Sequence, residues 1–309
     1  MQKSAPTLIV SCTDRKSLPS ASGLKLRSIP SKTDIDEAVK IWVKRINAAS
    51  EASGTLQLRD LYRGEYWSIA RELEHQCQMF VMSAGLGMET MDSCGPGYAA
   101  TFAKGSVDSV LNFSSDKPEL IRLKWWNGLL QEGLGKGNLI SASSEIVLVA
   151  VSDSYQQALS GQLIELSKQG KLIFTISGSP QIASLKNIEN ISHMKVGQWL
   201  RMVLGGSTPS IGIRFAAKMI ETGSYDSPEH AGELLSTLFE VYKSESTDKL
   251  PVFNRKQLSD GEVKKWIESQ IQKAWSGRSK SAFLRVFRES GYACEQKRFG
   301  DLFNEVIGK

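Results

Sequence analysis

The chain has 309 residues, 41% of them apolar and 23% charged, which suits one large α/β domain or such a domain with a helical appendage. No stretch approaches the ~20 apolar residues of a membrane span, and charged residues follow the first apolar run at once, so that run reads as a strand and not as a signal peptide. The net charge of +5 is unevenly spread. Thirteen Lys/Arg against seven Asp/Glu put +6 on Lys249–Lys309 and leave −1 on the preceding 248 residues, a distribution that suits phosphate binding by the tail or a solvated basic face.

In chain order, Thr7–Ser11 reads as a buried β-branched strand and residues 17–32 as a Ser/Pro/Gly loop. A helix opens at Thr33 or Asp34, with Ile35, Val39, Trp42, Val43 and Ile46 on one face. A second helix covers 61–76, where Asp60 is a candidate cap, and a second strand covers 78–84. Gly85 and Gly87 break that strand, and 89–105 reads as an irregular loop. Residues 117–130 are helical, and Gly133, Gly135 and Gly137 form a joint. Strand 146–151, helix 154–169 and strand 171–177 follow, and then helices at 196–203, 210–222, 227–244, 262–275 and 279–290. Strands alternating with helices predict a three-layer parallel sheet flanked by helices, with an α/β core over 1–205 and a basic helical region over 206–309.

Cys12, Cys77, Cys94 and Cys294 form no CxxC pair, so no zinc site is expected, and their scatter fits free thiols in a reducing cytoplasm. His75, His193 and His230 lie near no motif, which argues against a Cys/His nucleophile. There is no GxxxxGK[ST] and no GxGxxG after a strand, so no nucleotide cofactor is implied.

Parallel sheets bind ligands beyond the carboxyl ends of their strands. The four ends here read Ser11-Cys12-Thr13-Asp14-Arg15-Lys16, Ser83-Ala84-Gly85-Leu86-Gly87, Ser152-Asp153-Ser154 and Ser177-Gly178-Ser179-Pro180. All four carry hydroxyls or glycines, which turns alone do not require, and such backbone binds anions. Two further segments combine aromatics with turn or charge. Arg59-Asp60-Leu61-Tyr62 suits base stacking and phosphate contact as well as a helix-capping turn, and Tyr98 after Pro96-Gly97 suits a pocket wall as well as a loop packed on the core. In the tail, Arg278, Lys280, Arg285 and Arg288 share one helix surface after the Ser276-Gly277 turn, as in a backbone clamp for nucleic acid or a helical cap with solvated arginines.

Ser11-Cys12-x-x-Arg15-Lys16, Arg59-Asp60-Leu61-Tyr62, the strand running into Ala84-Gly85-Leu86-Gly87, and Pro96-Gly97-Tyr98, in that order over roughly 7–102, resemble a family of bacterial proteins. These are the uracil-DNA-glycosylase-like domains that accompany tRNA-guanine transglycosylases and the anti-phage glycosylases that remove glucosylated hydroxymethylcytosine. The resemblance implies a uracil-DNA-glycosylase-like fold and a cytoplasmic DNA glycosylase of antiviral defence. It would flip a modified base, need no metal or cofactor, and have DNA as partner, with no membrane and no obligate protein partner. It further implies a base pocket at Ser11, Cys12, Thr13, Arg59, Tyr62, Ser83, Gly85, Gly87, Tyr98, Ser177, Gly178 and Ser179, with DNA held by Arg15, Lys16 and the tail cations. Where relatives carry Tyr-Asp, this chain has Tyr98-Ala99, so the acid falls to Asp14, Asp92 or Glu65. A histidine that uracil-excising enzymes carry after the last core strand is replaced by Ser177-Gly178-Ser179. Two other readings stay open: a non-catalytic nucleic-acid-binding module, and an enzyme acting on a small nucleoside or nucleotide.

Overall fold

The apolar run Thr7–Ser11 (β1) lies inside a six-stranded sheet, with a neighbour on each edge. The computed structural model describes residues 5–51, 54–135, 144–222, 227–245, 254–272 and 280–308. Gly137, Ser276, Gly277 and Arg278 lie outside the described residues. The other strands are Gln78–Ser83 (β2), Gly87–Thr90 (β3), Ile146–Ala150 (β4), Leu172–Ser177 (β5) and Ile191–Lys195 (β6). Their order is β3-β2-β1-β4-β5-β6, parallel throughout except for the β2–β3 hairpin. Every residue of β4 is buried, as in a parallel strand covered on both faces.

Helices Ile35–Glu51 (α1), Pro118–Gln131 (α3) and Asp153–Lys168 (α4) pack in one group. Glu65–Leu73 (α2) and Ile211–Thr222 (α5) pack in another, with α5 against β4 and β5. Asp34 caps α1, its carboxylate accepting the Asp36 amide at 2.9 Å. Trp42 of α1 and Trp125 of α3 donate their indole N–H groups to the carbonyls of Gly85 and Ala84, both at 2.9 Å, and so hook these helices to the β2 end.

Several elements depart from the sequence reading. The expected helix over 61–76 is broken, because a single turn Leu58–Leu61 and Gly64 at φ 110° precede α2. Asp60 therefore caps nothing there and lies 3.6 Å from Arg71. Strands β3 and β6 fall in segments expected to be irregular or unassigned. A final helix, Gln296–Ile307, follows the last one expected.

The chain separates into two units, Met1–Asp248 and Lys249–Lys309. The expected division at 205/206 falls inside the first unit, which also holds α5 and Pro228–Glu245 (α6), with Ile213, Phe215, Ala231 and Leu235 in its core. The second unit holds Asp260–Gln272 (α7), Lys280–Glu289 (α8) and Gln296–Ile307 (α9) around its own core of Val263, Ile267, Phe283, Phe287, Phe299 and Phe303. No helix among the described residues is long and apolar enough to cross a membrane.

Candidate functional site

The topology itself marks one place. β1 leads to β2 on one side of the sheet, while β4, β5 and β6 lie on the other, so the connections reverse between β1 and β4. Strand ends separate at such a switch point and leave a crevice. The β1–β4 pairing ends at Val10 and Ala150, and the Tyr66 hydroxyl fills the gap. It accepts the Ser11 amide at 3.1 Å and donates to the Ala150 carbonyl at 2.6 Å. Burial pushes this phenol up to about 12, so it stays protonated and can hold both bonds.

Two cavities open at this point, and Thr13 lines both. The larger, about 520 Å³, is lined by Ser11, Tyr66, Ser152, Asp153, Ser177, Gly178, Ser179 and the start of α5. Its volume falls within the range of small-molecule pockets. Asp153, the first residue of α4, is half-buried on its wall, and its carboxylate makes no hydrogen bond or ion pair among the described residues. The Ser177–Ser179 turn is held from β6. His193 bonds the Thr175 hydroxyl through Nδ1 and the Ser179 carbonyl through Nε2, both at 2.9 Å. Burial lowers the His193 pKa, with Lys195 adding to the effect, and this favours the neutral ring.

The smaller cavity, about 250 Å³, is lined by Cys12, Thr13, Asp14, Lys16, Thr101, Ser106 and Tyr155. Its Lys16 packs over a buried chain of hydroxyls. Ser83 accepts the amides of Gly85 and Leu86 at 3.0 Å and meets the Tyr98 hydroxyl, which lies 2.6 Å from that of Tyr62. Lys16 is half-buried. An antiparallel bridge ties it to Tyr62, its Nζ sits 4.3 Å from the Tyr98 ring centre, and it donates to the Thr13 carbonyl at 3.0 Å. Cys12 Sγ lies 3.4 Å from the Tyr155 hydroxyl. Among the described residues, no group of three or more His, Cys, Asp or Glu side chains gathers to hold a metal ion.

These cavities take up Ser11, Cys12, Thr13, Asp14, Lys16, Ser177, Gly178 and Ser179 of the expected site. Other expected residues do different work. Ser83, Gly85 and Gly87 line neither cavity. Ser83 holds the Gly85 and Leu86 amides, and a side chain at Gly85 would meet the Tyr98 ring at 2.4 Å, so this turn is built for close packing. Tyr62 and Tyr98 are buried, line neither cavity and pack under the Lys16 amine. Glu65 is bound by the Ser207 amide, the Ser210 hydroxyl and Arg214, and so serves as a clamp between α2 and α5. Asp92 is an exposed partner of Arg59, which also pairs with Glu74 at 2.8 Å, and all three lie away from both cavities. Arg15 is exposed beside the site, whereas Lys16 turns inward and does not extend toward solvent. In the second unit, Arg285 is exposed, Lys280 bonds Asn304, and Arg288 donates to the Cys294 carbonyl.

Asp153 is the functional candidate that sequence reasoning passed over as an acid. It stood in a named strand end, but an acidic residue in a helix's first turn is favoured by the helix dipole alone, so its type carried no separate signal. No family model and no curated protein matches the chain.

Proposed function

We propose that the chain is a DNA glycosylase that hydrolyses the bond between a modified base and its sugar. The observation that carries this reading is the pair of adjoining cavities at the β1–β4 switch point, with Asp153, whose carboxylate makes no hydrogen bond or ion pair among the described residues, on the larger one. Ser11, Ser177, Ser179 and the turn backbone at Gly178 line the larger cavity and supply polar groups for the edges of a flipped base. As the C1′–N bond breaks, its electron pair leaves with the base and the sugar becomes oxocarbenium-like. Asp153 stabilises that charge and orients the attacking water, taking one of its protons. The +6 charge of Lys249–Lys309 supports DNA as the partner. The resemblance names the substrate as glucosylated hydroxymethylcytosine in phage DNA, which makes the role antiviral defence.

The test is incubation with duplexes carrying glucosylated hydroxymethylcytosine, hydroxymethylcytosine or cytosine, followed by hot-alkali cleavage at abasic sites. Cleavage confined to a modified duplex is expected, with Asp153→Asn slowing it by ~100-fold or more. No abasic sites on any duplex would sink the reading. A rate unchanged in Asp153→Asn would remove Asp153 from its role.

A further inference from the structure

We propose that Lys16 is an amine nucleophile that forms an imine with the ring-opened sugar of an abasic site, giving the chain a strand-nicking lyase activity. The inference rests on the DNA reading above but on a different cavity and a different residue. Lys16 lines the smaller cavity, which Thr13 joins to the larger. Its volume of about 250 Å³ lies below the ~300–1,000 Å³ of drug-sized sites and suits a single sugar unit.

A surface lysine used for phosphate contact stays solvated and charged. Lys16 is placed otherwise. Its Nζ lies over the faces of two buried tyrosines, 4.3 Å from the Tyr98 centre and 5.5 Å from that of Tyr62. Its Nζ donates to the Thr13 and Asp14 carbonyls, and no carboxylate pairs with it among the described residues. Burial drives the ammonium toward its neutral form, opposed by the nearby Cys12 and Asp14. The groups facing it are those two, the phenols of Tyr62 and Tyr98, and that of Tyr155 across the cavity. Burial keeps all three phenols protonated. A desolvated lysine in a pocket is the arrangement that activates an amine toward carbonyls.

The chemistry needs only water and a proton from solvent. The neutral amine adds to the C1′ aldehyde, forming N–C1′ while the carbonyl electrons move to oxygen and take up the amine's proton. A proton from solvent lets that hydroxyl leave as water, the nitrogen lone pair forms the C=N bond, and the imine is left protonated. The Asp14 carboxylate on the same cavity wall takes a C2′ proton, the C2′–H electrons form the C2′=C3′ bond, and the C3′–O pair departs with the phosphate end. Hydrolysis of the imine then frees Lys16.

The experiment incubates the full chain with a duplex carrying a pre-formed abasic site and sodium cyanoborohydride, then maps the covalent adduct by peptide mass spectrometry. An adduct on Lys16 is expected, with the trapped fraction falling at least tenfold in Lys16→Arg, which keeps the cation. No adduct, or an adduct mapped to other amines, overturns the inference, and mapping on the unmodified chain does not depend on how any variant folds. Because the probe is already abasic, trapping at Lys16 without excision of a modified base would leave this inference standing and sink the glycosylase reading. Excision without trapping would do the reverse.

Discussion

Glu65 accepts hydrogen bonds from the Ser207 amide, the Ser210 hydroxyl and Arg214, a set of partners that defines an ionised structural carboxylate. Partial burial pushes its carboxyl up, but Arg214 and the two serines outweigh that and hold it at about 2, against 4.5 in an unfolded chain. The folded state therefore binds fewer protons than the unfolded one between these values. The clamp's stabilisation is complete above about 4.5 and is lost as the pH falls toward 2. Glu65→Gln is expected to flatten this acid limb in melting temperatures measured from pH 6 to pH 3. At neutral pH it should cost about 1 kcal/mol, since the carboxylate is partly exposed. An unchanged acid limb would show that α2 and α5 are held together by their apolar contacts alone.

Elements were legible where one period dominated. Thr7–Ser11, 146–151 and 171–177 are β-branched runs between turn signals, and the sheet takes all three. β3 was hidden because Gly87 opens it and an acidic residue interrupts it. Its pairing comes from the tight turn at the β2 end and has no apolar pattern of its own. β6 reads Ile191-Ser192-His193-Met194-Lys195, an edge strand half exposed, with too little apolar content to stand out. α9 carries Gly300 at mid-helix, and Glu295 caps it where Ser, Thr, Asp or Asn is usual. The site was half legible for a similar reason. A hydroxyl and a glycine at a strand end serve a ligand and a packed turn equally well, and only the surrounding helices decide. At β2 the indoles of Trp42 and Trp125 take the turn carbonyls and Tyr98 covers Gly85, whereas at β1, β4 and β5 the ends stay open. Tyr66 marks the difference, because it holds the parted ends of β1 and β4. Tyr66→Phe removes the partner of the Ser11 amide and the Ala150 carbonyl, and an unpaired group of this kind costs ~1–3 kcal/mol. Urea unfolding should show that loss. Excision should fall with it, since both strand ends line the larger cavity. Wild-type stability would mean that water replaces the hydroxyl without penalty.

At the scale of the molecule, the excess charge and the candidate cavities fall on different units. The cavities belong to Met1–Asp248, whose net charge is −1, and the excess of cations belongs to Lys249–Lys309. Within that second unit several cations are already engaged. Arg298 pairs with Asp260 at 2.6 Å, Lys264 pairs with Glu305, and Arg288 holds the Cys294 carbonyl. Lys256, Lys265, Arg285 and Lys297 are exposed. Each phosphate neutralised by such a cation releases counterions and adds ~0.9 to the slope of log affinity against log salt. The second unit has its own aromatic core, so a chain ending at Asp248 keeps the core of the first unit whole. Duplex binding by the full chain should weaken steeply between 50 and 200 mM salt, as a clamp with several phosphate contacts requires. The chain ending at Asp248 should bind more weakly, with a slope shallower by about 3, and still excise the base at saturating DNA. Fluorescence anisotropy on a short duplex measures both slopes. If the slopes coincide, the tail's charge does not contact phosphate, and any duplex binding belongs to the first unit, with exposed Arg15 beside the cavities as the first residue to test.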